Sequence, residues 1–216
     1  LEYGIVGFLE RYVGVRQFWM GAPGSLGEVT TARSTLRLPA IEWRDWPFFI
    51  SRSMSMHPML PGGSPLPFFR RGTTLPCSEN YYRLLPPAKY GSTNPEFFPL
   101  VEGSRRVPPP SSYKSRWQPC VSNPEVVRAV AGAVLDYFRE HPEAIGLNVS
   151  INDGYGDCTC KACRAMDAPG TDYGQRIGMS DRYARFTNQV AEIVAGEFPE
   201  KAIVYLAYSA TSRPPQ

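Results

Sequence analysis

Polar residues just past the end of a buried strand are the first place to look for chemistry in an α/β protein. Ser150-Ile151-Asn152-Asp153-Gly154-Tyr155 has that layout. Asp153 would aim a carboxylate into the mouth while Gly154 lets the backbone turn, and Asn152 beside it supplies an amide. The plainer alternative is an ordinary turn in which Asp153 serves its own backbone. A second strand end, Ala207-Tyr208-Ser209, brings a phenol to the same mouth. Between them lies Cys158-Thr159-Cys160-Lys161-Ala162-Cys163. A structural zinc site takes four ligands, so C-x-C-x-x-C is one short, and Asp157, Cys77 or Cys120 could complete the set. A disulfide bracing the loop is the preferred reading, and zinc on Cys158, Cys160 and Cys163 or reduced, packed thiols remain open. Nucleophilic use of these thiols lacks a base, because the two histidines, His57 and His141, each precede proline and neither is obviously placed.

Aromatic rings crowd the loops, among them Tyr81, Tyr82, Tyr90, Trp117 and Tyr155. Flat rings there suit stacking on sugar faces or on bases, and they equally suit covering the ends of a core. Neither G-x-G-x-x-G nor G-x-x-x-x-G-K occurs, so nucleotide chemistry is not supported and no cofactor is expected.

The elements that must position these residues are clearest after residue 122. Asn123 is a good N-cap, Pro124 suits the first helical position, and Val127, Val130, Ala131, Val134 and Phe138 make one helical stripe. A strand over 145–151 follows, then a helix capped by Ser180 with Tyr183, Phe186, Val190, Ile193 and Val194 inward, then a strand over 202–208. This order predicts an α/β fold with parallel strands. Residues 3–13 have helical spacing stopped by Gly14. Residues 15–19, 36–41 and 48–53 read as strands. Residues 54–120 are mostly loop, with short helices over 80–85 and 88–90 and a strand over 97–101. Residues 1–45 read as the end of a small α/β domain, and if residues 46–216 belong to a (β/α)₈ TIM barrel, which needs about 250 residues, they hold roughly its first half.

Composition narrows the function classes. The 216 residues are 43% hydrophobic and 20% charged, which supports a core and argues against disorder. No apolar run reaches the roughly 18 residues of a membrane span, and the first residues lack a signal-peptide layout. Of 22 prolines, 16 fall between Pro39 and Pro124, so the loop-rich character is regional. Residues 1–123 hold 14 Lys/Arg against 8 Asp/Glu, and residues 124–216 hold 9 against 12. The basic half has no run of basic residues, which argues against nucleic acid as a partner.

The order of several segments resembles a known family. These are Phe8-Leu9-Glu10, Gly14-Val15-Arg16, Gly27-Glu28-Val29, Leu84-Leu85-Pro86-Pro87 with Lys89-Tyr90, and Asn94-Pro95-Glu96-Phe97-Phe98. Gln118-Pro119-Cys120-Val121-Ser122-Asn123-Pro124, Asn152-Asp153-Gly154 with the three cysteines, and Leu206-Ala207-Tyr208-Ser209 complete the set. Together they resemble the bacterial domain-of-unknown-function family 4838, part of which is classed as glycoside hydrolase family 163. The resemblance implies a hexosaminidase-type small domain followed by a glycosidase TIM barrel. It also implies retaining, substrate-assisted cleavage of β-linked N-acetylhexosaminides or N-glycans. Asp153 and Asn152 would then be the acid and its polar neighbour, with Tyr208 touching the acetamide, and the protein would act in the periplasm or outside the cell. Where the family pattern has His-Asn before Tyr81, this chain has Glu79-Asn80, so Glu79 is either an added acid in the mouth or a change in sugar binding. A glycan-binding protein on a hydrolase scaffold is the alternative.

Overall fold

The computed structural model describes residues 2–17, 28–32, 34–52, 73–110 and 116–216. The chain divides between Thr74 and Leu75 into two compact units, and the boundary expected after residue 45 falls inside the first of them.

In the first unit the helical spacing of residues 3–13 is realised in two windings. Helix α1 (Glu2–Phe8) passes into a π-type turn over Leu9–Val13, which ends at Gly14 with φ 87°. Glycine carries this left-handed conformation without the steric cost of a Cβ. Strand β1 (Arg16–Gln17) pairs antiparallel with β2 (Glu28–Val29); Phe18 and Trp19 lie outside the described residues. Among the described residues the strands expected over 36–41 and 48–53 are not formed, Ser53 lying outside them, and Leu36, Leu38, Phe48, Phe49 and Ile50 are exposed. Alternation or an apolar run makes a strand only where a neighbouring strand takes up its backbone groups along its length; here the Arg52 N–H donates to the Thr73 carbonyl at 3.0 Å, and no strand ladder forms on these stretches among the described residues.

The second unit carries the candidate site. It opens with helices α2 (Tyr81–Leu84) and α3 (Pro87–Tyr90), followed by a 3₁₀ turn over Pro95–Phe97. Strands β3 (Leu100–Val101) and β4 (Ser104–Arg105) form a tight antiparallel hairpin whose corner, Glu102-Gly103, has positive φ at both residues. Helix α4 (Pro124–Glu140) begins as its sequence dictates, with the Asn123 side chain accepting from the Glu125 N–H at 2.9 Å. All five residues of its expected stripe are buried. Strand β5 (Gly146–Asn148) leads through a loop and helix α5 (Lys161–Arg164) to helix α6 (Ser180–Ala195) and strand β6 (Ala202–Val204). Helices α4 and α6 pack on each other and bury Tyr183, Phe186, Val190 and Val194. Ile193 is instead 42% exposed. Ser180 is the first residue of α6 rather than its cap, and its hydroxyl donates to the Arg213 carbonyl at 2.5 Å.

Strands β5 and β6 are parallel, with Gly146, Leu147 and Asn148 opposite Ala202, Ile203 and Val204. Parallel neighbours need a crossover, and α5 and α6 supply it. The Val149 N–H donates to the Val204 carbonyl at 2.9 Å, one residue beyond the strand. The architecture is therefore α/β, built on this β-α-β unit. Each sheet among the described residues has two strands, and no barrel is shown. No helix among the described residues is long and apolar enough to cross a membrane.

Candidate functional site

Because β5 and β6 run in parallel, their C-terminal ends open on the same edge, and the residues that follow each strand meet there. Ser150 ties the edge together. Its carbonyl accepts from the Asn80 and Tyr81 N–H groups at 3.3 Å each, and its hydroxyl accepts from the Leu206 N–H at 3.1 Å. The Asn80 amide also donates to the Asn148 carbonyl at 2.7 Å. Backbone groups at alternate strand positions point to opposite sides, so residues 78–81 flank β5 on the edge away from β6. Asn80 is buried there as a link, while Glu79 is half-buried with no partner for its carboxylate among the described residues.

Asn152 is the hub beneath the mouth. Its Oδ1 accepts from the Tyr82 N–H at 2.9 Å and its Nδ2 donates to the Trp117 carbonyl at 3.0 Å. Gln118, fully buried, completes the joint: its Nε2 donates to the Asn152 carbonyl at 2.7 Å and its Oε1 accepts from the Asn152 N–H at 2.9 Å. Both ends of the Asn152 amide are thus committed to chain segments that converge under the site, which makes Asn152 a positioning residue rather than a group facing a ligand. Asp153 stands above it, exposed, with Oδ1 accepting among the described residues from the neighbouring Gly154 N–H at 2.9 Å. The local turn and the outward carboxylate therefore coexist.

Two glycines let the 116–118 segment come this close. At Gly154 (φ 82°) a Cβ would lie 2.8 Å from Arg116 Cγ, and at Gly156 (φ 98°) it would lie 2.4 Å from the Arg116 carbonyl oxygen. Tyr155 between them is 60% exposed, with the Arg176 guanidinium 5.6 Å from its ring centre. Tyr208 is 48% exposed and opens a 3₁₀ turn over Ser209–Thr211. Trp117 is a correction to its expected place on a stacking surface. It is 2% exposed and packs against Phe98 with ring centres 5.3 Å apart.

One buried network was not expected. Asp157 grips Arg176 through two hydrogen bonds of 2.6 and 3.0 Å and accepts a third from the Tyr183 hydroxyl. Arg176 also donates to Ser209 Oγ at 2.9 Å. The loop after β5 is thereby tied to the loop after β6, which joins the Tyr155 and Tyr208 neighbourhoods. Burial first, and the Asp157 charge second, hold the Tyr183 phenol well above its usual range. Nothing in the local pattern around Arg176 announces this role, since its partners lie 19 and 33 positions away.

The cysteines gather beside the same loop. Cys120 joins Cys158, Cys160 and Cys163, with all four Sγ atoms within 4.8 Å of one another. The expected disulfide is not formed: the sulfurs stand at 3.5, 3.8 and 3.9 Å from Cys120. Of the residues that could have completed the trio, Asp157 is taken by Arg176, Cys77 is exposed outside the group, and Cys120 is the one present. Hydrogen bonds from Cys158 and Cys163 pull the Cys120 thiol far down, with Arg105 and Ser122 adding to this. The same coupling pushes Cys158 up to about 11 and Cys163 higher still.

The fold and the site define an α/β protein with an exposed carboxylate and two exposed phenols at the C-terminal ends of parallel strands, and a four-thiol cluster behind them. The model of a family described as a domain of unknown function (DUF4838) matches residues 24–216, and the chain belongs to that family. No curated protein and no solved structure matches it.

Proposed function

We propose that this chain is part of a glycoside hydrolase acting on β-linked N-acetylhexosaminides or N-glycans. The observation that carries the reading is the exposed Asp153 carboxylate at the end of β5, on the same edge as Tyr208 beyond β6. The sequence resemblance to glycoside hydrolase family 163 is the second support, while the family itself is described as a domain of unknown function. In this reading β5 and β6 are two neighbouring strands of a TIM barrel, residues 78–81 mark the next strand position, and the protein works outside the cytoplasm. The sugar's 2-acetamido oxygen attacks the anomeric carbon as the bond to the leaving oxygen breaks, and Asp153 gives its proton to that oxygen. Water then opens the cyclic intermediate and returns a proton to Asp153. Tyr208 contacts the acetamide and the Tyr155 ring stacks on a sugar face.

A second reading, glycan binding without cleavage, is favoured by one specific feature. A substrate-assisted site needs a polar group beside the acid to orient the acetamide, and the Asn152 amide is consumed inside the protein. Glu79, half-buried on the adjacent edge, is the carboxylate left to take that part.

The test is incubation of the complete gene product with N-glycans and simple β-linked N-acetylglucosaminides, products being weighed by mass spectrometry. Cleavage that falls about 10²-fold or more in Asp153→Asn supports the hydrolase. Saturable glycan binding by a wild type that releases no product establishes the second reading instead.

A further inference from the structure

We infer that Cys120, Cys158, Cys160 and Cys163 bind one zinc ion, and that this ion clasps the two segments that hold the candidate acid. Four sulfurs placed about 2.3 Å from a zinc ion at the corners of a tetrahedron stand about 3.8 Å apart. The three sulfur separations from Cys120, 3.5, 3.8 and 3.9 Å, bracket that value. Bonded sulfurs in a disulfide would be about 2.05 Å apart. A multi-iron cluster must fit several irons and sulfides among its ligands, which needs sulfurs farther apart than van der Waals contact. Thiolate-only, tetrahedral ligation selects zinc or a single iron, and zinc fits a closed site with no reaction to serve.

The surroundings are built for thiolates. The Leu100 N–H points at Cys158 Sγ at 3.3 Å, and the Cys163 N–H points at Cys160 Sγ at 3.4 Å from the first turn of α5. Such N–H···S contacts spread the charge of a metal-bound thiolate and orient it. Three of the four cysteines are buried, so the ion would be shielded from competing ligands. All four tetrahedral positions are filled by protein, leaving none for water or substrate, so the ion acts on structure and not on a bond being broken.

Its position gives it a purpose. Cys120 lies two residues after Gln118, which is hydrogen-bonded to Asn152 on both sides, and Cys158 lies five residues after Asp153. A zinc ion would therefore close a loop between the 116–120 segment and the 152–163 segment, fixing the turn that presents Asp153. This inference stands whether the chain cleaves glycans or only binds them.

The test measures metal on the full chain, purified without added metal, by plasma mass spectrometry, beside thiol reactivity and intact mass. About one zinc per chain is expected, with Cys77 alone reacting promptly with a thiol reagent and the other four reacting after chelation. Cys160→Ser should lose most of the zinc, while Cys77→Ser keeps it. Should Cys160→Ser fail to fold, cobalt exchanged into the wild type decides, because four thiolates give intense tetrahedral bands and sulfur-to-metal charge transfer. A metal-free chain with five reactive thiols, an intact mass lowered by disulfide formation, or bound iron in place of zinc would each overturn the assignment.

Discussion

Two of the arginine–carboxylate pairs among the described residues have nearly the same geometry and opposite burial, which makes a controlled comparison possible. Arg176 meets Asp157 through bonds of 2.6 and 3.0 Å, and Arg139 meets Glu197 through bonds of 2.8 and 2.6 Å. The first pair has side chains 4% and 9% exposed, the second 51% and 43%. Asp157→Ala removes three accepted hydrogen bonds and leaves the Arg176 charge with Ser209 and the Tyr155 ring as its remaining partners. Stranding a buried charge costs about 3–5 kcal/mol. At about 3 °C per kcal/mol for a chain of this size, the melting temperature should fall by roughly 10–15 °C. Glu197→Gln disturbs an equally well-formed pair that water and salt already screen, so its effect should be a small fraction of this. The assay is thermal and urea unfolding followed by circular dichroism, with metal content matched across variants because Cys158 adjoins Asp157. Asp157→Ala/Arg176→Met should recover part of the loss, since no charge is then left unpaired. Equal losses for Asp157→Ala and Glu197→Gln, or a double variant as damaged as the sum of its singles, would refute the argument from burial.

Gly156→Ala should destabilise by about 1–3 kcal/mol from its positive φ alone, and more because the new methyl would lie 2.4 Å from the Arg116 carbonyl oxygen. Gly132→Ala in the middle of α4, where a Cβ meets nothing within 4 Å, should instead stabilise by about 0.5–1 kcal/mol, and the two urea midpoints moving the same way would sink this reasoning. Alkali should unfold the protein through its buried phenols. Burial pushes Tyr205 up to about 12 and holds Tyr81 and Tyr183 well above the usual range. A group with a raised folded pKa keeps its full contribution below the unfolded value, about 10 for tyrosine, and loses it as pH rises through the folded value. Stability should therefore decline from about pH 10 to about pH 12, with phenolate absorbance of these residues appearing together with loss of helical signal. Full titration of every tyrosine near its ordinary range in a still-folded protein would refute it.

The cysteine cluster and the Asp157–Arg176 pair lie on the same loop. Between them, the turn carrying Asp153 is anchored at Asn152, at Asp157 and at the sulfurs, while Asp153 itself reaches solvent. This is the arrangement a reactive or ligand-binding carboxylate requires, because a fixed backbone lowers the cost of holding one productive geometry.

Local chemistry was enough to read the two long helices, the α/β class and the turn at Gly154. The cap at Asn123, the proline after it and the 3.6-residue stripe of α4 involve residues within a few positions of one another, so their preferences survive in any tertiary context. The positive-φ glycine at 154 likewise marks a turn by its own steric freedom. Other matters required the folded chain. Whether Leu36–Ile41 or Phe48–Ile50 becomes a strand depends on a neighbour that sequence alternation cannot supply. Whether Asn152 faces a ligand or the protein depends on where Tyr82, Trp117 and Gln118 pass, between 34 and 70 positions away. The fourth thiol is the plainest case. Cys158, Cys160 and Cys163 are gathered by one short loop, but Cys120 reaches them because Gln118 bonds Asn152 and residues 97–101 clamp both segments. Phe97 and Leu100 carbonyls accept from the N–H groups of Cys120 and Thr159. Helical periodicity is a short-range property written into every turn, whereas these meetings are long-range and are selected only when the whole core closes.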